Sequence, residues 1–151
     1  MAYFQSDWVK GLKPMPTTNN ANGLYFVRFV YSFATAFATA TDKIELGILP
    51  AFARPADVWL QPVCLTASNA VDIGIMSGKV GVVDAGRTVG DEFFDGVAAV
   101  GTFVRGSNPD IFGDDFAPTP YDRSIGVLMT HDVSAGAAKK LILGLSFYAG
   151  N

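Results

Sequence analysis

The sequence predicts an all-β fold: an antiparallel β-sandwich, jelly-roll-like, of about eight strands. Three observations lead there. Short apolar runs recur at fairly regular intervals, each ending in Gly, Pro, Asn or Asp, the residues that turn a chain. No long amphipathic helical period interrupts them. At residues 47–60, GILPAFARPADVWL, one apolar run climbs to Pro50 and a second begins at Pro55. Proline lacks the N–H that a central sheet position needs, so the pair brackets a corner between two strands.

Residues 1–22 differ from the rest, mixing Tyr3, Phe4 and Trp8 with Lys10, Lys13, Pro14, Pro16 and a polar run at 17–22. No period lasts long enough for a regular element. They read as an extended N-terminal arm with aromatic anchors, ahead of a β-sandwich domain over 23–151. Such an arm packs across its own domain or reaches a neighbour.

Residues 24–33, LYFVRFVYSF, form the first strong strand. Tyr25, Val27, Phe29, Tyr31 and Phe33 share one face; Leu24, Phe26, Arg28, Val30 and Ser32 share the other. Both faces are largely apolar, which predicts cover on both sides, the core on one and the arm or another subunit on the other. Residues 34–41 make a continuation past a bend or a weak connection. Over 42–49, Ile44, Leu46 and Ile48 alternate with Lys43 and Glu45, a strand with one wet side. Residues 58–66 follow the proline corner, with Trp59 reading as buried and Pro62 pointing to an edge or a bulge. The turn 67–69 leads into 71–76, with Val71, Ile73 and Ile75 inward and Asp72 outward; the spacing predicts a hairpin. Shorter strands are expected at 80–83 and 97–104, and a loop at 108–121, rich in Pro, Gly and Asp. The last strands are 124–130 and 140–148, joined by a link that could hold one helical turn at 134–138.

Composition narrows the function classes. A chain of 151 residues is one domain by length. Half the residues are hydrophobic and only 17% are charged, which is apolar for a small soluble monomer. The 12 Phe, against 5 Tyr and 2 Trp, must fill a generous core or contacts between subunits. Net charge is −3 with the cations scattered, so the basic stripe of a nucleic-acid binder is missing. No stretch reads as a membrane span or a signal peptide. Cys64, the only cysteine, excludes an intrachain disulfide and reads as a buried thiol in an apolar run.

Chemistry is absent by the same reading. His131 is the only histidine and lies near a strand end, so no triad or transition-metal set assembles around it. GIMSGK at 74–79 misses the phosphate-loop spacing by one residue and lacks the hydroxyl after its lysine. Asp91, Glu92 and Asp95, and Asp110, Asp114 and Asp115, read as solvated turns or ion-pair partners. A calcium site lacks its ligand alternation, and an acid pair for hydrolysis lacks a defining geometry. No catalytic residue, cofactor or metal is assigned.

The segments GILPAFARPADVWL, VDIGIMSG, RTVGDEFFDG, DRSIGVLM and LILGLSFYAG, taken in order, resemble head decoration (cement) proteins of tailed bacteriophages. The resemblance runs over about residues 31–148 and is carried mostly by 49–60 and 122–127; the N-terminal 22 residues lie outside it. It implies a β-sandwich without catalytic residues that assembles as a homo-oligomer, dimer or trimer. Its partner would be the major capsid protein, whose neighbouring copies it bridges on the outer surface of the virion. Phe4, Trp8, Phe93 and Phe94 are the expected interface anchors. Two rivals stand beside this expectation: a tail or head-fibre component with receptor or glycan affinity, and a hydrolase using the acidic loops.

Overall fold

The computed structural model describes residues 1–14, 23–106 and 116–149. Among these residues nine strands make two sheets: β1 (Tyr3–Gln5), β2 (Leu24–Ser32), β3 (Lys43–Leu49), β4 (Ala53–Val63), β5 (Ala70–Met76), β6 (Phe94–Ala98), β7 (Val104–Arg105), β8 (Arg123–Met129) and β9 (Lys140–Ala149). One sheet has the order β1-β3-β8-β5-β6, the other β2-β9-β4-β7. Without β1, these are two four-stranded sheets through which the chain alternates in the wiring of a jelly roll, as the sequence predicts. All pairings are antiparallel except β1 with β3. No α-helix occurs among the described residues, and the turn expected at 134–138 is non-helical.

The core lies between the sheets. Val27, Phe29, Tyr31 and Phe33 reach it from β2 and just beyond; Ile44, Leu46, Val71, Ile73, Ile125, Val127, Leu143, Leu145 and Phe147 complete it from the other strands. Alternation puts these side chains on one face of each sheet. Strand β3 breaks its alternation at a bulge between Glu45 and Gly47, opposite Ile125 and Gly126 of β8. Gly47 makes this possible, because a Cβ there would lie 2.7 Å from the Phe29 ring.

Residues 1–14 close one side of the sandwich. Strand β1 extends the edge at β3, and Phe4 packs on Tyr31 and Phe37 at centroid distances of 5.9 and 6.2 Å. Trp8 then crosses to the opposite sheet. Its indole N–H donates to the Arg28 carbonyl of β2 at 3.0 Å, and its ring meets Phe29 edge-on at 5.7 Å. The described part of the expected arm thus lies along its own domain; residues 15–22 fall outside the described residues.

Several local expectations change. Strands β4 and β5 form no hairpin: they belong to opposite sheets, and residues 64–69 carry the chain between them. Asn69 pins that crossing, with its buried side chain donating to the His131 carbonyl at 2.9 Å and accepting from the Thr130 and His131 amides. Cys64 is exposed, because β4 ends one residue earlier and Cys64 turns outward with φ +54°. Pro62 sits beyond the reach of β7, which pairs only with Trp59 and Leu60, so β4 behaves as an edge there. The expected strand at 80–83 is instead part of a long connection from β5 to β6.

Candidate functional site

The outer faces of the two sheets are finished in opposite ways. On the β3-β8-β5 side, the β5–β6 connection folds back over the sheet as a roof. Glu45, expected on a wet side, is fully buried beneath it. Arg87 lies in the same space, its guanidinium 3.3 Å from the Glu45 carboxylate, with 2% and 0% of the two side chains exposed. Ser124 accepts from Arg87 at 2.6 Å and donates to Glu45. Tyr3 and Gln5 of β1 donate to the other carboxylate oxygen at 2.9 and 3.0 Å, and the Gly81 N–H donates at 3.0 Å to the same oxygen as Ser124. Arg87 also donates to the carbonyls of Ser77 and Val82 and to the Tyr3 hydroxyl.

Burial alone would raise the Glu45 carboxyl pKa, but the bonds from Ser124, Gly81, Gln5 and Tyr3 outweigh it and hold the group below its ordinary range. Tyr3 moves the other way, raised by burial and then by the Glu45 charge. The arrangement is a satisfied polar clasp joining β1, the sheet and the roof, with every carboxylate contact taken up internally. Glycines bring the roof down. A Cβ on Gly74 would lie 2.0 Å from Glu92 Oε2 and 2.3 Å from the Gly90 carbonyl carbon, and one on Gly126 would lie 2.8 Å from Val89.

The β2-β9-β4-β7 side has no such roof among the described residues. Its outward positions carry Leu24 and Phe26 from β2, Tyr148 from β9, Trp59 from β4, and Phe103 just before β7. Leu24, Phe26 and Phe103 are 68%, 53% and 60% exposed. The register places Leu24, Tyr148 and Arg54 in one row, and Arg28, Gly144, Trp59 and Arg105 in another. Gly144 has no side chain, so the Trp59 indole lies over β9; a Cβ there would lie 2.0 Å from the ring. Trp59 bridges Phe26, 6.1 Å away and near parallel, to Phe103 at 5.3 Å. The Arg105 Nε donates to Asp57 at 2.8 Å on the rim, and that bond with the Asp57 charge raises the Arg105 pKa. Trp59 thus faces outward and is half-buried, where the sequence reading had it buried; the glycine beneath gives it somewhere to lie.

The four expected anchors fall elsewhere. Phe93 and Phe94 are buried in the core, Phe93 packing on Phe116 at 5.3 Å, so neither presents area to a partner in this structure. Phe4 and Trp8 are half-buried along the closed side of the sandwich. None of the four belongs to the aromatic row. The missed signal was glycine at an outward position of an alternating strand, LILGLSF in β9, which marks a close approach from a neighbour. Among the described residues, no group of three His, Cys, Asp or Glu side chains is placed to hold a metal ion. His131 is exposed, with its Nδ1 3.0 Å from the Thr130 hydroxyl. Asp110, Asp114 and Asp115 lie outside the described residues.

The architecture is similar to that of a chain from the capsid of Ralstonia phage GP4. The two share 30% identity, with a TM-score of 0.87 over 99% of each chain. This chain belongs to that phage capsid protein family. It is a structural component of the virion. Two further solved structures share the fold at lower identity. The acid-stable capsid of Helicobacter pylori bacteriophage KHP30 gives 12% identity and a TM-score of 0.55, over 87% of this chain and 92% of that one. The cyanophage Pam1 capsid gives 13% and 0.53, over 91% and 94%. No protein-family model and no curated protein sequence matches the chain.

Proposed function

We propose that this capsid protein is a non-enzymatic decoration protein. It binds the outside of the phage head as a homo-oligomer and bridges neighbouring copies of the major capsid protein, stabilising the expanded, DNA-filled shell. The observation that carries this reading is the aromatic row Phe26–Trp59–Phe103 with Leu24 and Tyr148 beside it. Contiguous exposed apolar area on a small domain marks an interaction surface, and interface centres are enriched in Trp, Tyr and Phe. A protein with affinity for the expanded shell and none for its precursor displaces that equilibrium by mass action.

Co-sedimentation of the purified protein with heads stripped of it, comparing precursor and expanded shells, tests the reading. Saturable binding to expanded shells alone supports it, and the stoichiometry per head identifies the symmetry sites filled. Binding to neither shell removes it.

A second reading draws on the same row. A tryptophan held between two aromatic rings on an open sheet face is also the kind of platform on which a sugar ring stacks, which favours a head-fibre or tail component with glycan affinity. Retention on a glycan array, lost in Trp59→Ala, together with no affinity for shells, would select this reading over the first.

A further inference from the structure

At one end of the sandwich a cleft of about 680 Å³ opens between the turn that follows β5 and the start of β8. Ile75, Met76, Val80 and Tyr121 give it apolar walls, and Lys79 and Arg123 give it two cations. Arg123 is the first residue of β8, and its guanidinium stands over the Phe116 ring at 5.4 Å. Its Nε and Nη2 are both buried, and neither has a hydrogen-bond partner among the described residues. These two nitrogens form one edge of the guanidinium, the fork that a carboxylate occupies with two parallel bonds.

Among the described residues, the acids flanking the cleft are committed elsewhere. Asp122 accepts from the Ala51 N–H at 2.8 Å, and Glu92 accepts from the Ile75 N–H at 2.8 Å without forming an ion pair with Arg123. Burial accordingly lowers the Arg123 pKa, more than the charges of Tyr121 and Glu92 raise it. Lys79 is exposed and makes no ion pair among the described residues. A buried fork with no acceptor is costly to keep, and a partner carboxylate removes that cost.

We propose that this cleft receives an acidic side chain from an extended segment of the capsid partner, its carboxylate gripped side-on by Arg123, with Lys79 at the mouth. The inference rests on the reading that the chain binds a shell. The fork is shut off from water in the unbound chain, so docking turns the guanidinium about its terminal torsions into the cleft. The scattered cations and net charge of −3 favour a single carboxylate over a polyanion.

Carbodiimide treatment of expanded shells decorated with this protein tests the proposal, since the reagent joins a lysine amine to a carboxylate in contact. Mass spectrometry should find Lys79 linked to an Asp or Glu of a shell protein. Arg123→Gln should weaken shell binding by about ten- to a hundredfold, the loss expected for a charge-assisted pair. Lys79→Glu, at an exposed position that leaves folding untouched, should weaken it in the same direction. Wild-type binding with no Lys79 cross-link, and with both variants binding as well as wild type, overturns the cleft and leaves the shell-binding reading intact. A wild-type protein that binds no shell overturns both.

Discussion

The two outer faces of this sandwich solve one problem differently. Each sheet has an inner face in the core and an outer face that must be covered or left open. The β3-β8-β5 face is covered by the chain itself, through a roof drawn down over Gly74 and Gly126 and clasped by Glu45 and Arg87. The β2-β9-β4 face carries aromatic side chains instead, and Gly144 there lets a tryptophan lie flat without drawing any backbone over it. Glycine has the same position in all three cases, outward in a strand, and opposite consequences. Where a connection carrying polar anchors lies over the face, the glycine seats a loop. Where none does, it seats a side chain and the face stays open to a partner. Stability is therefore concentrated on the first face and availability on the second.

The sharpest way to break that contrast is to cut the clasp. Arg87→Met leaves Glu45 buried without its cation, and removing one member of a buried pair costs about 3–5 kcal/mol. For a domain of this size that is a fall in Tm of roughly 6–20 °C. Urea unfolding and a thermal melt should both show it. A loss below about 1 kcal/mol would mean that the roof is held by packing and not by the ion pair.

Paired glycine substitutions come next. Gly74→Ala pushes a methyl into the Gly90 backbone, which cannot swing aside, so the roof must lift at a cost of about 1–3 kcal/mol. Gly144→Ala runs first into the Trp59 ring, which can turn toward solvent. Its cost should stay below about 1 kcal/mol, while tryptophan emission moves to the red. Equal losses at the two positions would erase the distinction between the faces.

Acid should weaken the clasp in a defined window. The Glu45 carboxyl is held below its ordinary pKa in the folded chain, so the stability it contributes is fully present above about pH 4.3, the unfolded value. It is lost as pH falls further, through the folded pKa. Unfolding free energies from pH 6 downward should decline more steeply for the wild type than for Glu45→Gln. Parallel curves would show that Glu45 does not titrate differently on folding.

The positions of β2 to β5, β8 and β9, the inward set of β2 and the jelly-roll class were legible because they rest on period-two alternation and turn residues, which are local properties. The strands expected at 80–83 and 97–104 are not found: among the described residues, the glycine-rich stretch between β5 and β8 forms only β6 and β7, at 94–98 and 104–105. The errors have non-local causes. Glu45 looks wet until the roof, more than thirty residues later, is laid over it. Residues 58–66 and 71–76 look like a hairpin because spacing alone does not say that the link crosses between sheets. Trp59 looks buried because tryptophan in an apolar strand usually is; its direction depends on a glycine in β9, the last strand. Phe93 and Phe94, flanked by acids and glycines, look like surface anchors, yet they pack inward because the roof returns to the sheet at that point.

The smallest effect on stability, and the one that bears most directly on function, belongs to the open face. Phe26 is half-exposed and touches Trp59 without filling any part of the core, so Phe26→Ser should change stability by less than about 1 kcal/mol. If the row is the centre of an interface, the same change removes a central aromatic anchor, and such anchors are worth about 2 kcal/mol or more in binding, roughly a thirtyfold loss of affinity. The comparison should be made with Arg87→Met at a temperature where that variant remains folded. With the cleft contact already removed by Arg123→Gln, Arg87→Met should lose stability and keep the remaining affinity for shells, because the roof lies on the opposite sheet from the aromatic row. Phe26→Ser should do the reverse. Two variants that lose stability and affinity together would mean that the faces are coupled through the core, and that the closed face helps to hold the open one in shape.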